Sequence, residues 1–471
     1  QPHEVNTYQI YDTLTMAAGY TLTVDPGVVV KFNTGAGLDI DGALSAVGTS
    51  SLPVVFTSYK DDAYGGDLNL DGYATSPANG DWRGIYFSNL ATDVSCIIDH
   101  GVIRYGGTNG SGNIYSYLTN FTIRNSVISN SSTNGVRGYQ ASLTLSNNEV
   151  FGNSTDGLRF ESTGSQMVTG SRIFANFGDG IEVINSVNAS VTGSELFGNV
   201  GFGLRSSSTN TITATGNWWG AVNGPGGSLS GSGDEVSPNV TTTGFLTDGS
   251  RFSYFNAGPN LSEGTITAPS VISGTDTSEW GTSSGTRMLY DLEQVVLDYP
   301  SVAADSRFEL FITYYNPDNT SGIGGNIQGL TDGDGLNIHG SLAIPSGTPI
   351  QYNYRLPATS HDTGDLRLNF ILKNGYRAVV SEVWVVERAD TTDIAAPASV
   401  ITSPGAGVHL AGGMVEVRGT ATDGAGSGVL SVDVGVDGGS GISWSPVTQL
   451  RSDGGWSYRW SLPADGSYTL Y

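Results

Sequence analysis

Asparagine recurs every 23 residues in the middle of the first half of this chain, at Asn130, Asn153, Asn176 and Asn199. Glycine and phenylalanine keep step with it at intervals of 22 or 23 residues, at Gly135, Gly157, Gly180, Gly203 and at Phe151, Phe174, Phe197. Short alternating segments and turns lie between the repeats. A fixed period of this length, made of short strands, indicates a solenoid in which each repeat forms one coil.

Composition supports an all-β protein and limits its partners. The 471 residues include 67 glycines, and only 14% of the residues are charged. The formal net charge of −24 disfavours binding to nucleic acid or to an anionic membrane and favours divalent cations. No apolar run reaches the roughly 18 residues that a membrane-spanning helix needs, so no membrane span is predicted.

Changes of pattern divide the chain into three predicted domains. Residues 1–245 form the solenoid, which a polar insertion at residues 60–80 interrupts. In residues 246–392 the period disappears and longer alternating strands predict a jelly-roll-like β-sandwich. Residues 393–471 follow a linker-like stretch and predict a second, smaller β-sandwich.

Segments of the solenoid carry a family resemblance. They are Leu38-Asp-Ile-Asp-Gly-Ala-Leu-Ser-Ala-Val-Gly, Gly80-Asp-Trp-Arg-Gly-Ile-Tyr-Phe, and Asn217-Trp-Trp-Gly followed by Asn223-Gly-Pro. In these segments the solenoid resembles right-handed parallel β-helix proteins of the pectate-lyase-like type. The resemblance implies that fold and leaves the function open, because the fold serves lyases, hydrolases, adhesins and inert stalks.

The last domain carries a second resemblance. Val415-Glu-Val-Arg-Gly-Thr-Ala-Thr-Asp and Asp465-Gly-Ser-Tyr-Thr-Leu-Tyr closely resemble segments of bacterial Ig-like domains of secreted proteins. In those domains a further strand follows the segment that corresponds to Tyr468-Thr-Leu. We therefore expect a partial Ig-like β-sandwich that lacks its last strand, and self-association by strand addition at this domain. The middle domain resembles carbohydrate-binding, galactose-binding-like modules.

Alternation along the strands predicts which side chains point inward. We expect the asparagine ladder and the column of Phe151, Phe174 and Phe197 to stack inside the coils. Two residues after each repeat glycine lies a charged residue that is predicted to point outward, giving the column Arg137, Arg159, Glu182, Arg205. This column either grips an acidic polysaccharide or is solvated exterior charge, and Glu182 within the row favours the second interpretation.

Two segments are candidate calcium loops. Asp67-Leu-Asn-Leu-Asp-Gly places the oxygen ligands Asp67, Asn69 and Asp71 at alternate positions, with Asp62 nearby in the sequence. The twelfth position is Ala78, so a bidentate ligand has to come from elsewhere. The second segment contains Asp332 and Asp334. The alternative for both segments is a polar turn without a metal.

The sequence contains no motif for a nucleophile, a phosphate loop or a zinc site. His100 and Arg104 lie near Trp82 and Arg83 in the sequence, so the four residues can share one face, but this pattern is too weak to name a catalytic site. The leading hypothesis is an extracellular or cell-surface bacterial protein, stabilised by calcium, that serves adhesion or filamentous assembly. The alternatives are a lyase or hydrolase of acidic polysaccharide and a non-catalytic carbohydrate-binding protein.

Overall fold

The computed structural model describes an all-β protein, which confirms the predicted fold class. A 3₁₀ turn lies at Asp93–Ser95, and no helix among the described residues is long and apolar enough to cross a membrane. The described residues are 6–471 except 51, 62, 67, 70–74, 76, 109, 258–261, 265, 278–287, 304–306, 317–325, 345–348, 357–359, 362, 389–397, 406, 411–413, 423–431, 439–441, 447, 448, 451–454, 464 and 465.

Short strands build the first domain. In chain order they are β1 Thr7–Ile10, β2 Leu14–Met16, β3 Thr21–Val24, β4 Val29–Phe32, β5 Leu38–Ile40, β6 Ala43–Val47, β7 Val54–Ser58, β8 Ile85–Phe87, β9 Ile97–Asp99, β10 Gly101–Arg104, β11 Ile114–Tyr117, β12 Phe121–Arg124, β13 Val127–Ser129, β14 Val136–Tyr139, β15 Leu143–Ser146, β16 Glu149–Phe151, β17 Leu158–Glu161, β18 Thr163–Thr169, β19 Arg172–Phe174, β20 Ile181–Val183, β21 Ser186–Thr192, β22 Glu195–Phe197, β23 Leu204–Ser206, β24 Ile212–Thr215, β25 Pro225–Gly227, β26 Gly233–Val236 and β27 Val240–Thr241.

Each coil adds one strand to each of three parallel sheets. Sheet A takes every third strand from β1 to β22, sheet B every third strand from β2 to β23 and then β26 and β25, and sheet C every third strand from β3 to β27. Inward side chains such as Ile128, Val150, Ile173 and Leu196 stack from coil to coil and form the core. The predicted right-handed parallel β-helix is confirmed.

The asparagine ladder lies in the turn between sheets A and B. Asn153 Nδ2 donates to Asn176 Oδ1 at 2.9 Å, and Asn176 Nδ2 donates to Asn199 Oδ1 at 2.9 Å. Asn199 Nδ2 then donates to Asp234 Oδ2 at 2.8 Å, so a carboxylate closes the ladder. Each amide thus satisfies buried polar groups of the next coil.

Asn130 does not belong to this ladder, because its coil is one residue shorter. The backbone N–H of Ser131, rather than that of Asn130, donates to Asn153 Oδ1. Asn130 has a φ of 55°, like Gly152 and Ala175 at the same corner of later coils. Its side chain donates to the backbone oxygen of Gln351 in the second domain at 3.2 Å.

A second polar ladder lies in the turn between sheets C and A. Each backbone N–H donates to a side-chain oxygen of the next coil, at 2.8 to 3.2 Å. Its members are Ser126, Asn148, Ser171, Ser194 and Asn217. Because serine and asparagine share this role, no single residue type recurs, and the repeat is hard to recognise in the sequence.

The phenylalanine column points outward, so the prediction that it stacks inside the coils was wrong. Phe151, Phe174 and Phe197 alternate with the inward residues of sheet A and stack on one another at 5.2 and 5.0 Å. They are nevertheless buried, because Phe252, Phe311 and Trp384 of the second domain cover them. Alternation predicts two faces, but it does not predict which face another domain covers.

The 60–80 insertion covers the other end of sheet A. Tyr64 packs on the outward side chains of Val29, Val55 and Val102. Beside it, the buried guanidinium of Arg104 donates to both carboxylate oxygens of Asp61, at 2.7 and 2.6 Å. Insertion and second domain together bury the outer face of sheet A.

The second domain is a sandwich of antiparallel sheets, as predicted. Its strands are β28 Phe252–Asn256, β29 Ser262–Gly264, β30 Ser270–Ser273, β31 Thr275–Thr277, β32 Met288–Asp291, β33 Gln294–Tyr299, β34 Arg307–Tyr314, β35 Asn326–Thr331, β36 Asn337–Ile344, β37 Ile350–Arg355, β38 Leu366–Asn374, β39 Ala378–Val380 and β40 Glu382–Arg388. The main sheets have the strand orders β29-β28-β40-β34-β37 and β30-β33-β38-β35-β36, with a small sheet β31-β32-β39. Side chains such as Leu310, Leu330 and Leu368 form the core between them.

The third domain is a two-sheet sandwich. Its strands are β41 Ala398–Ser403, β42 Met414–Thr422, β43 Asp433–Asp437, β44 Ile442–Pro446, β45 Gln449–Leu450, β46 Gly455–Ser461 and β47 Thr469–Leu470. Its sheets have the orders β41-β42-β46-β45 and β44-β43-β47, and Val417, Val434, Trp456 and Trp460 lie in its core. Strand β47 pairs with β43, and Tyr471 exchanges two backbone hydrogen bonds with Gly435. Self-association by strand addition at this domain stays a prediction.

Candidate functional site

The outer face of sheet B is the candidate site, because it carries charged and aromatic side chains that do not pack into a hydrophobic core. Outward residues at successive coils form one column, in the order Asp39, Tyr86, Tyr115, Arg137, Arg159, Glu182, Arg205. The hydrophobic clusters of the described residues include none of them. The predicted exterior charge column is thereby confirmed and extended by Asp39 and two tyrosines. We call this face the sheet B strip.

Tyrosines occupy the strip in two pairs of neighbouring rings. Tyr86 and Tyr115 lie on adjacent strands with ring centroids 5.4 Å apart and ring planes tilted by 30°. Tyr117 and Tyr139 stack, with ring centroids 5.6 Å apart and ring planes at 16°. All four are half-buried, so each leaves part of its ring accessible. The Arg137 guanidinium lies 5.1 Å from the centre of the Tyr115 ring. Such rings offer a flat apolar surface with a polar rim.

Arginines and carboxylates follow the tyrosines along the strip. Glu161 receives Arg137 Nη2 at 2.6 Å and Arg159 Nε at 2.8 Å. Burial alone would raise the pKa of Glu161, but the hydrogen bonds and charges of the two arginines lower it below its ordinary value. The same guanidinium of Arg159 also pairs with Glu182 and lies 3.3 Å from Asp156. Glu161 therefore keeps its negative charge to a lower pH than an ordinary glutamate does.

Three acidic groups come together next to Arg159. One oxygen from each of Asp156, Asp179 and Glu182 lies within 4.8 Å of the others. Burial raises the pKa of Glu182; the Arg159 charge opposes this shift, and Asp156 and Asp179 add to it. Burial likewise raises the pKa of Asp179. The strip thus holds, on neighbouring strands, one carboxyl group that retains its proton more readily and one that loses it more readily.

Turns position the two aspartates of this cluster. Asp156 Oδ1 accepts the backbone N–H of Asp179 at 2.9 Å, and Asp179 Oδ1 accepts that of Phe202 at 2.8 Å. The second oxygen of Asp179 receives Arg205 Nε at 2.8 Å. One oxygen of each carboxylate therefore serves the turn, and the other faces the strip.

The strip ends at a cleft of about 770 Å³ between the last coils and the second domain. Arg205 belongs to both the strip and the cleft. Asp234 is fixed in its wall, because its carboxylate accepts N–H groups of Gly198 and Asn199 at 2.7 and 3.1 Å. The lining of the cleft includes Asn199, Phe202, Arg205, Trp219, Asp234 and Glu235.

Of the predicted calcium residues, the structure describes Asn69, Asp332 and Asp334. Asp62, Asp67 and Asp71 lie outside the described residues, and Asn69 Nδ2 donates to Thr75 Oγ1 at 2.8 Å. Asp332 is buried in its turn, where its carboxylate accepts the N–H groups of Asp334 and Leu336 and the Ser360 hydroxyl. The side chain of Asp334 is exposed.

The residues near Trp82 do not share a face. Arg104 is held by Asp61 on sheet A, Arg83 reaches Thr13 near the start of sheet B, and His100 lies beside Asp99 in the turn between sheets C and A. Sequence reasoning missed the tyrosine pairs. Tyr86 and Tyr115 come from coils of irregular length, and the only signal was alternation within single strands.

Comparisons with known proteins agree with the two recognised domains. Residues 78–236 match the family described as "Right handed beta helix region", and residues 397–471 match the family "Bacterial Ig domain". No curated protein matches the chain.

Among solved structures the chain is similar to pectate lyase Pel9A, at 15% identity over 50% of this chain and 69% of that one, with a TM-score of 0.28. It is similar to the enzymatically active domain of tailspike protein 4 of bacteriophage CBA120, at 11% identity over 77% of this chain and 64% of that one, with a TM-score of 0.17. A periplasmic alginate epimerase is 12% identical over 52% of this chain and 79% of that one, with a TM-score of 0.20.

Proposed function

We propose that this chain is an extracellular bacterial protein that binds a polysaccharide along the sheet B strip. The observation that carries the proposal is the in-register sequence of paired tyrosines, arginines and carboxylates on the accessible outer face of consecutive coils. Flat aromatic surface beside convergent polar groups is the usual make-up of a small-molecule site. Sugar rings have an apolar face and a hydroxyl rim, and both components of the strip suit them.

The test is binding with a matched pair of variants. Tyr115→Ala removes from the strip a ring that pairs with Tyr86, whereas Tyr20→Ala removes a ring that is 70% exposed elsewhere on the β-helix. Affinity electrophoresis in gels that contain single polysaccharides measures retardation of each protein. We expect retardation of the wild type and of Tyr20→Ala to be equal, and that of Tyr115→Ala to be lost. If every polysaccharide that retards the wild type retards all three proteins equally, the binding site lies outside the sheet B strip.

The acidic cluster favours hydrolysis of the bound polysaccharide as a second candidate function. Glycoside hydrolysis needs one carboxyl group that donates a proton and another that is ionised. The raised pKa of Glu182 and the lowered pKa of Glu161 have the required directions. Release of reducing ends by the wild type, its loss in Glu182→Gln and its retention in Tyr20→Ala would support catalysis. Binding without release of reducing ends would leave a binding protein.

A further inference from the structure

We propose that the polysaccharide held by the strip is uncharged rather than a polyuronate. This inference rests on the proposed function and names its substrate class. Three arginines of the strip, Arg137, Arg159 and Arg205, face four carboxylates, those of Asp156, Glu161, Asp179 and Glu182. The charged part of the strip is therefore net negative before any ligand arrives.

Every one of these arginines is already paired. Arg137 and Arg159 share Glu161, and Arg205 holds Asp179 at 2.8 Å. A uronate carboxylate would have to displace one of these partners and leave a half-buried carboxylate without its counter-charge. That exchange gains one ion pair, loses another and adds repulsion between like charges.

The lysines of the chain do not offset the net negative charge of the strip. The chain has three lysines: Lys31 donates to the Gly66 carbonyl beneath the insertion, Lys60 pairs with Asp81 at 2.8 Å, and Lys373 lies on β38 in the second domain. None belongs to the strip. The formal net charge of −24 adds a long-range repulsion toward any polyanion, which salt screens only in part.

Sugar hydroxyl groups meet the strip without such a cost. A hydroxyl donates to a carboxylate oxygen and accepts from a guanidinium N–H, so it can join the Arg–Glu pairs without separating them. The tyrosine pairs supply contact with the apolar face of the ring. Strands β8 to β23 span five coil steps, or about 24 Å at the usual strand spacing. The site therefore suits a chain of several sugar rings that runs along the axis of the β-helix.

Affinity electrophoresis distinguishes the two substrate classes. The neutral probes are barley β-glucan, galactomannan and dextran, and the acidic probes are polygalacturonate and alginate, each with and without calcium chloride. We expect at least one neutral probe to retard the wild type, and Tyr115→Ala to abolish this retardation. The retardation should change less than about twofold between about 0.05 and about 0.5 M NaCl. We expect no retardation by either acidic probe.

A charge variant sharpens the test. Glu161→Gln/Glu182→Gln removes two negative charges from the strip, and we expect it to gain retardation by polygalacturonate at low salt. Retardation of the wild type by a polyuronate, with or without calcium, and its loss in Tyr115→Ala would overturn the inference while leaving the proposed function in place. Absence of retardation by every probe would count against the proposed function itself.

Discussion

Phe174 of the β-helix packs edge-to-face against Phe311 of the second domain, with ring centroids 5.1 Å apart and ring planes at 75°. Phe174 is fully buried by this contact, although it lies on the outer face of sheet A. The two domains are therefore joined by a hydrophobic interface with the geometry that aromatic pairs prefer. The stability of the β-helix depends in part on the second domain.

Phe174→Ala is expected to lower the free energy of unfolding by about 3–5 kcal/mol, because it leaves a cavity in this interface. Phe177→Ala is the matched control, since Phe177 is 38% exposed on the neighbouring turn. Its effect is expected to stay within about 1 kcal/mol. Denaturant titration of the full chain measures both. Equal effects of the two substitutions would contradict a stabilising role of the interface between the two domains.

Asn176→Ala is expected to destabilise the β-helix by about 1–3 kcal/mol, because it removes the oxygen that accepts the backbone and side-chain N–H groups of Asn153 and one of the donors to Asn199 Oδ1. Asn153→Ala should act in the same way. Asn188→Ala is the control, because Asn188 is exposed on sheet C. Thermal melts decide the matter, and unchanged melting of both ladder variants would show that the ladder adds no stability.

Glu161 and Glu182 are expected to affect stability with opposite signs. The pKa of Glu161 is lower in the folded chain, so its ionised form stabilises the fold above the ordinary pKa of glutamate, and this is lost as the pH falls through the folded value. The pKa of Glu182 is higher in the folded chain, so its contribution is lost as the pH rises through the raised value.

At neutral pH, Glu161→Gln should therefore lower the midpoint of denaturant unfolding, and Glu182→Gln should raise it. Both differences should shrink as the pH approaches about 4, near the ordinary pKa of glutamate. Shifts of the same sign at neutral pH would refute the assignment of these two environments.

His339 is expected to make the second domain sensitive to acid. Burial lowers the pKa of His339 to about 4, and a backbone hydrogen bond to Gly340 opposes this only in part. Between about pH 6.5 and about 4 the unfolded chain binds a proton that the folded chain does not, so stability falls as the pH decreases. His339→Gln should flatten this dependence, whereas the same substitution at exposed His409 should leave it unchanged. Melts across this range measure the slopes.

Calcium binding by Asp67, Asn69 and Asp71 stays a prediction. Calorimetric titration is expected to show binding that Asp67→Ala/Asp71→Ala removes, because oxygen ligands at alternate positions in an acidic chain suit calcium. Asp334→Ala reports on the second candidate loop separately. Identical titrations of the wild type and the double variant would refute calcium binding at the first candidate loop.

The sequence by itself determined the repeat architecture. The 23-residue period predicts parallel coils, because only stacked repeats satisfy the backbone of every coil, and alternation predicts that Arg137, Arg159, Glu182 and Arg205 point outward. It also predicts the ladder of Asn153, Asn176 and Asn199. These features are local, since each depends on neighbours one coil away.

Tertiary structure alone decided which outer faces of the β-helix are covered and which stay accessible. Phe174 is buried by Phe311 and Trp384, which lie more than one hundred residues further along the chain, and no local pattern reports such a distant partner. Asn130 left the ladder because one coil is a residue shorter, so that Ser131 occupies the position that Asn153 has in the next coil. Tyr115 meets Tyr86 only because irregular coils stack in register, and the accessible strip exists because the insertion and the second domain cover sheet A instead of sheet B.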